Sequence, residues 1–464
     1  MTHQRMKIKR LILIAGDIIL LYFSLWLTLI IRYYSEYSAG LWNKHLLPFT
    51  VVFLIWLVIF YIDDLYEFDI SRGRMNLINK LTRSLIISGG IAIAFFYIGH
   101  LRLFTIRPQR ILLIDLIITF ILLFFWRLIF YRFIKSPKLA QNIMIVGVNN
   151  FAKEAIKKIT AEPQLGFKLK TIINYEKKEI ADLALDSSIS VKESFNDLKN
   201  ICLNNQVDLI ILAAKRDGNS LILKNIFECL KMRIDFMELA GFYEKITGKI
   251  PVEAIDHDWF LSNLAESSKK FYEIIKRFFD FLAAAVGLVI SLPLVPIIIL
   301  AIKIDSRGPA LFTQKRVGRN GKKFLAMKFR TMTIDAEESG PQWAQKDDPR
   351  ITRVGRFFRK TRIDEIPQLI NILRGEMSLI GPRPERPEFV QTLKEKIPFY
   401  EERLLVRPGI TGWAQVMGPA YGGSEKESLE KLKYDLFYIK NRSLGLDLSI
   451  ALKTIKTVLS SRGQ

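Results

Sequence analysis

The chain has 464 residues, half of them hydrophobic, with 68 Lys and Arg against 46 Asp and Glu, a formal net charge of +22. So oily a composition excludes an ordinary soluble protein of this size and points to membrane segments; the basic excess then calls for phosphorylated substrates or anionic lipid, not nucleic acid. Two cysteines, Cys202 and Cys229, and four histidines, the last at 257, exclude a disulfide framework. They also bar a thiol, a Ser-His-Asp triad or a His-ligated metal from the last third, where chemistry must use carboxylates, cations and an oxygen-bound metal.

In chain order, Met-Thr-His-Gln-Arg leads into an apolar run with no small-residue cleavage site, which reads as an anchor and not a removed signal. It is the first of four apolar stretches, at 10–31, 46–62, 84–101 and 111–134, each near the ~20 residues that cross a bilayer. Arg5, Lys7, Lys9 and Arg10 precede the first. Arg72, Arg74, Lys80 and Arg83 lie between the second and third, and Arg132, Lys135 and Lys138 follow the fourth. The positive-inside rule gives four spans over residues 1–138 with both ends cytoplasmic. Arg102, Arg107 and Arg110 are the exception, in a loop that this topology puts outside.

Residues 139–265 read as a soluble α/β domain. Asn142 to Gly147, Val207 to Leu212 and Ile234 to Glu238 are strand patterns, the first followed by a helical stretch through Ile159. Strands alternating with helices predict a parallel sheet. The first strand ends in Gly147-Val-Asn-Asn-Phe-Ala152, where Asn149 and Ala152 replace the second and third glycines of a dinucleotide loop. The module is therefore read as degenerate Rossmann-like, structural or regulatory, and without a dinucleotide.

Residues 271–304 hold an uncharged run, Phe281 to Ile302, broken by Ser291-Leu-Pro293-Leu-Val-Pro296. Proline removes a backbone donor inside lipid. Both ends are basic, Lys276 and Arg277 before it and Lys303 and Arg307 after. A helix that enters, bends at Ser291, Pro293 and Pro296 and returns to the same face satisfies both facts. The alternative is a fifth span with a proline kink. Residues 305–464, basic and punctuated by glycine and proline, read as a small α/β domain on the membrane surface.

Within that domain, Arg359-Lys-Thr-Arg362-Ile-Asp364-Glu365-Ile-Pro367 joins two carboxylates to two arginines. Pro367 suits a first helical turn, which places the acids at a helix start where the dipole favours their charge. Such a pair suits Mg²⁺ and phosphate, and one carboxylate could attack phosphorus. The plain alternative is a capping pair in a surface ion network. Lys328-Phe-Arg330-Thr-Met332 puts Lys328 and Arg330 on one face of a strand. Gly381-Pro-Arg383-Pro384 holds an arginine between two prolines, Arg407-Pro-Gly-Ile-Thr-Gly-Trp413 is a second rigid element, and Tyr434-Asp435-Leu-Phe-Tyr438 adds an acid.

In this order, these motifs resemble the bacterial sugar transferase family of monotopic phosphoglycosyl transferases from about residue 271 to the end. With four spans and a Rossmann-like module ahead, the whole chain resembles the large polyprenyl-phosphate hexose-1-phosphate transferases of capsule, exopolysaccharide and O-antigen pathways. The resemblance implies that Asp364 attacks the β-phosphate of a UDP-sugar and releases UMP. Polyprenyl phosphate, usually undecaprenyl phosphate, would then take the phosphosugar. It implies Glu365 as a catalytic residue that binds Mg²⁺ and assists proton removal, and Lys328, Arg359 and Arg383 as groups that hold phosphate or nucleotide. Arg330, Arg362 and Asp435 are candidates beside them. It further implies a bacterial inner-membrane protein with a cytoplasmic catalytic domain among membrane lipids, and allows a homodimer. The competing readings are a membrane nucleotide-sugar dehydratase, for which Tyr272 and Lys276 have a Tyr-x-x-x-Lys spacing, and a non-catalytic scaffold gripping anionic lipid.

Overall fold

The computed structural model describes residues 2–66, 73–100, 109–134, 140–180, 183, 185–186, 188–194, 197–213, 227–229, 232, 234–264, 269–336, 340, 348–419 and 424–459. The chain forms two compact units, Met1–Ile246 and Thr247–Gln464.

The first unit opens with α1 (Thr2–Tyr33), α2 (Ala39–Ile62), α3 (Gly73–His100) and α4 (Gln109–Ile134). Each contains a stretch long and apolar enough to cross a membrane. The second stretch, read from sequence as starting at 46, starts at Ala39, because the Ser38 side chain accepts from Leu41 N and caps the helix. The bundle core includes Leu21, Leu25, Phe49, Trp56 and Leu81. Its polar residues bond across helices: fully buried Asp17 and Arg127 pair at 2.8 Å, and Ser24 donates to Asp115 at 2.7 Å. Such pairs fix which helix faces meet, since the alternative is an unpaired polar group in an apolar interior. Of the basic loop residues used for topology, Arg72, Arg102, Arg107, Lys135 and Lys138 lie outside the described residues.

The rest of this unit is a parallel sheet. Its strands are β1 (Gln141–Val146), β2 (Phe167–Ile173), β3 (Ser190–Lys192), β4 (Leu209–Leu212) and β5 (Asp235–Glu238), in the order β3-β2-β1-β4-β5. Helices α5 (Asn150–Ala161) and α6 (Leu198–Asn204) lie between strands. Gly147 takes φ 87°, the left-handed turn that a strand-to-helix reversal asks of glycine. Asn149 caps α5 through Ala152 N at 2.8 Å and donates to Ala213 O at 3.2 Å. Asn149, which stands where a dinucleotide loop has its second glycine, thus serves as the cap of α5.

The second unit begins earlier than sequence reading placed it. After α7 (Leu239–Thr247), the segment that contains α8 (His257–Asn263) packs Ile250, Val252, Trp259 and Phe260 with Leu432, Leu436 and Ile439. Trp413 donates its indole N–H to Gly248 O at 3.0 Å. Residues 247–264 therefore belong with the carboxy-terminal unit and not with the domain drawn to 265.

Two helical limbs follow, α9 (Lys270–Ser291) and α10 (Val295–Asp305), joined by a 3₁₀ step at Leu292–Leu294. Ser291 bonds back to Leu288 O at 3.0 Å, and Pro293 and Pro296 are the second residues of the step and of α10. Outward-facing Phe278, Phe281, Val289, Ile290, Leu292, Ile297 and Leu300 make the limbs an exposed apolar surface. The globular part begins with the antiparallel pair β6 (Leu311–Val317) and β7 (Lys323–Phe329). Next come α11 (Arg353–Thr361), α12 (Gln368–Arg374), β8 (Ser378–Ile380) and α13 (Pro387–Lys396). The chain closes with β9 (Gly409–Thr411), α14 (Trp413–Met417), α15 (Glu425–Asn441) and α16 (Leu444–Leu459). Ala284 of α9 packs with Phe324, Ala326 and Ile372, while Ile298 and Ile302 of α10 pack with Phe329 and Phe358. Polar pins reinforce both limbs. Arg277 donates to Ile372 O and Leu373 O at 2.6 and 3.0 Å, Asp280 accepts from Ser378 Oγ at 2.7 Å, and Asp305 accepts from Val354 N at 2.9 Å.

Candidate active site

Asp364 and Glu365 stand in a 3₁₀ turn, Ile363–Glu365, that runs through Ile366 and Pro367 into α12. The turn follows Arg362, which holds φ 59° as it ends α11 and reverses the chain. Sequence reading put the acids at the N-terminus of the helix that Pro367 opens; they stand in a separate 3₁₀ turn just ahead of it, where side-chain cations surround them. Both are 5% exposed.

The cations converge on Glu365 Oε1: Arg383 Nη2 at 2.7 Å, Lys328 Nζ at 3.2 Å and Arg362 Nη1 at 3.7 Å. Lys328 also lies 4.0 Å from Asp364 Oδ2. Arg359 fixes its orientation by donating to Thr331 Oγ1 at 2.8 Å, and Asp364 is the first charge that its guanidinium senses. Burial alone would raise the Glu365 pKa, but Arg383, Lys328 and Arg362 outweigh it and hold the carboxyl well below its usual range. Burial pushes Asp364 the other way, and the neighbouring Glu365 charge adds to it, so its carboxyl sits above its usual range despite Lys328 and Arg383. One acid is thus a fixed anion and the other is less stabilised. Among the described residues, Asp364 Oδ1 is buried with no hydrogen-bond partner, in a cationic setting.

The scaffold explains why these residues meet. Asn371, fully buried on α12, accepts from Met327 N at 3.1 Å and donates to Leu325 O at 2.8 Å. Its amide thereby mimics a neighbouring strand and locks α12 to β7, which carries Lys328. Arg383 is set by the contact between the two proline-glycine turns. Ser378 N, Gly381 N and Gly409 N donate to Pro408 O, Thr411 O and Pro382 O at 2.8 to 2.9 Å, and β8 pairs in parallel with β9. A Cβ on Gly409 would lie 2.1 Å from Gly381 N, and one on Gly412 would lie 2.2 Å from Gly381 O. Backbones approach this closely only at glycine.

Two sequence candidates stand elsewhere. Arg330 follows the end of β7, and its guanidinium donates to Arg307 O and to Ser306 O at 2.8 Å. It braces the turn after α10 and is not drawn to the acids. Asp435, 2% exposed on α15, pairs with Arg403 at 2.9 Å; burial pushes its carboxyl up to about 6 against the Arg403 charge. Tyr272 and Lys276 both bind Asp447, at 2.7 and 3.1 Å, and serve as packing anchors. Sequence reading missed Asp280, Asn371 and Arg403, and took Arg277 only as a basic flank of the apolar run. For Asp280 and Asn371 the signal was a lone polar residue in an apolar run, Phe278-Phe-Asp-Phe-Leu282 and Leu369-Ile-Asn-Ile-Leu373.

The donor set fits Mg²⁺, which binds through one or two carboxylates and fills its shell with water and phosphate oxygens. Adjacent acids, one with an unpartnered oxygen, supply that. The described residues hold no group of three His, Cys, Asp or Glu side chains that would cage a metal without phosphate.

A family model described as bacterial sugar transferase matches residues 271–461, and one described as a CoA-binding domain matches 61–236. The galactosyl transferase CpsE of Streptococcus agalactiae is 31% identical over 91% of this chain and 94% of its own length. The UDP-N-acetylgalactosamine-undecaprenyl-phosphate N-acetylgalactosaminephosphotransferase of Aeromonas hydrophila is 43% identical over 51% of this chain, which spans 55% of that relative. A UDP-glucose:undecaprenyl-phosphate glucose-1-phosphate transferase of Caulobacter vibrioides is 44% identical over 41% of this chain and 71% of its own. The motif order, the site and a relative matched nearly end to end agree: the chain belongs to the bacterial sugar transferase family of polyprenyl-phosphate phosphoglycosyl transferases.

Proposed function

We propose that this protein transfers a sugar-1-phosphate from a UDP-sugar to undecaprenyl or another polyprenyl phosphate, an early membrane step in exopolysaccharide, capsule or O-antigen synthesis. The observation that carries the reading is Asp364 Oδ1, buried and without a hydrogen-bond partner among the described residues, beside Glu365, Lys328 and Arg383. In the first step the Asp364 carboxylate forms a bond to the β-phosphorus of the UDP-sugar, and the bond to the UMP oxygen breaks. In the second step an oxygen of the lipid phosphate bonds to the same phosphorus, and the acyl-phosphate bond breaks, which restores the carboxylate and gives a polyprenyl-diphosphate sugar. Lys328, Arg359, Arg362 and Arg383 offset the diphosphate charge that would otherwise repel a carboxylate. Glu365 holds Lys328, Arg362 and Arg383 in place and would hold Mg²⁺, which when bound neutralises diphosphate charge and polarises phosphorus. Asp364 must be ionised to attack. Its raised pKa therefore puts the acid limb of the rate above the usual carboxylate range, with UMP release falling as pH drops through it.

The proposed setting is the bacterial cytoplasmic membrane, with four amino-terminal spans and residues 271–304 as a re-entrant helix that keeps the catalytic unit in the cytosol. Arg277 and Asp305 bind the same globular unit. A straight helix would separate them by about 42 Å, more than the roughly 30 Å of hydrocarbon. That favours both ends on one side. Lys270→Cys and Arg307→Cys, each tested alone, should resist a membrane-impermeant maleimide in intact spheroplasts and react after permeabilisation. Labelling of either site in intact cells would contradict the layout.

The donor sugar is tested by a panel of UDP-glucose, UDP-galactose and their N-acetylated forms, with polyprenyl phosphate and detergent-purified protein. At least one should give Mg²⁺-dependent UMP. Folded protein that releases none, with or without Mg²⁺, would point to the lipid-gripping scaffold.

A further inference from the structure

Arg383 is the strongest cation on Glu365, and its own placement has a cause. Pro382 and Pro384 stiffen the backbone on each side, and Gly409 N holds Pro382 O at 2.9 Å. The Arg383 carbonyl is held by Arg403, whose Nη2 donates to it at 2.9 Å. Arg403 is 7% exposed. Its Nη1 donates to Tyr400 Oη at 2.6 Å, and its Nη2 also lies 2.9 Å from Asp435 Oδ2. A buried guanidinium needs a counter-charge, and Asp435 supplies it. Glu385 and Lys431 are the other charges that Asp435 senses. Only a planar fork reaches a phenol, a carbonyl and a carboxylate from one charge; an ammonium on a flexible stem does not hold all three in register.

We propose that Arg403 is a positioning residue for the transfer: paired with Asp435, it fixes the Arg383 main chain and so the Arg383 guanidinium on Glu365. The proposal rests on the transferase reading above. It also gives Asp435 a role, since that acid acts on Arg403 and not on substrate.

The test is a double-mutant cycle in the full chain in detergent, read as UMP release with UDP-sugar, Mg²⁺ and polyprenyl phosphate. Arg403→Lys keeps the charge and loses the fork. Its kcat should fall by roughly a hundredfold, the scale of a small misplacement of a catalytic group, with KM for the UDP-sugar changed far less. Arg383→Gln should cost at least as much. The double variant should be no slower than Arg383→Gln alone, because Arg403 acts through that residue. Should Arg403→Lys not fold, near-isosteric Asp435→Asn takes its place and is read in the same way. Additive losses in the cycle, or a lowered Tm with unchanged kcat, would overturn the proposal. Wild-type protein that releases no UMP from any donor removes the reading beneath the proposal and the proposal with it; an active wild type with unimpaired Arg403→Lys removes the proposal alone.

Discussion

Asp364→Asn should abolish UMP release from UDP-sugar while leaving the fold intact. Asparagine has the same shape, so packing in the 3₁₀ turn is kept, but its amide cannot bond to phosphorus as a carboxylate does. The loss should be at least roughly 10⁴-fold, the scale seen when a nucleophile is removed from a working site. Tm should hold or rise slightly, because the substitution removes an acid whose ionised form burial disfavours. Glu365→Gln should also be severe, for a different reason. It would leave Arg383, Lys328 and Arg362 around a neutral amide, so substrate affinity and stability should move with the rate. A rate measured beside a melting curve separates the two variants. Near-wild-type activity in Asp364→Asn would remove the nucleophile.

Gly409→Ala should be severely damaging although it lies outside the charged cluster. The new methyl would start 2.1 Å from Gly381 N, 2.5 Å from Thr411 O and 2.7 Å from the Ile380 carbonyl carbon. All three are backbone atoms, so no side chain can swing away. The β8–β9 pair must part, at a cost of about 3 kcal/mol or more, the upper end for overpacking a close-packed interior. Arg383 rides on this contact through Pro382 and Gly409, so activity should fall even where folding survives. Gly445→Ala is the control. That glycine lies in α16, and a Cβ there meets nothing within 4 Å; alanine's better helix propensity should leave stability equal or up to about 1 kcal/mol higher. Thermal melts of the two variants check the claim, and equal Tm values would contradict it.

Much of this was legible because it is local. Buried runs such as Ile143-Met-Ile-Val146 and Leu209-Ile-Ile-Leu212 announce central parallel strands. β2 was harder to read: Lys168 and Lys170 interrupt its apolar residues, and its alternating burial shows only once β1 lies beside it. In the site, the Asp364–Glu365 pair and its arginines share one stretch, and Arg383 is marked by its prolines. Arg330 misled for a tertiary reason. Two-residue spacing from Lys328 implies a shared face, but the strand ends at Phe329 and nearby carbonyls capture the guanidinium. Asp435 was visible as an acid, yet its meaning lies in Arg403, far off in sequence. The segment 247–264 shows the same limit: apolar Ile250, Val252 and Phe260 signal burial without saying in which unit.

The central claim is a bond between Asp364 and the phosphorus of a sugar phosphate. Purified protein given a UDP-sugar and Mg²⁺ without lipid, quenched in acid and weighed intact, should gain the mass of one phosphosugar. A peptide map should place the gain at Asp364, and added polyprenyl phosphate should discharge it. UMP formed only once lipid is added and in step with product, with no mass gained at any time and with UMP release undiminished in the Asp364→Asn protein, would contradict the account.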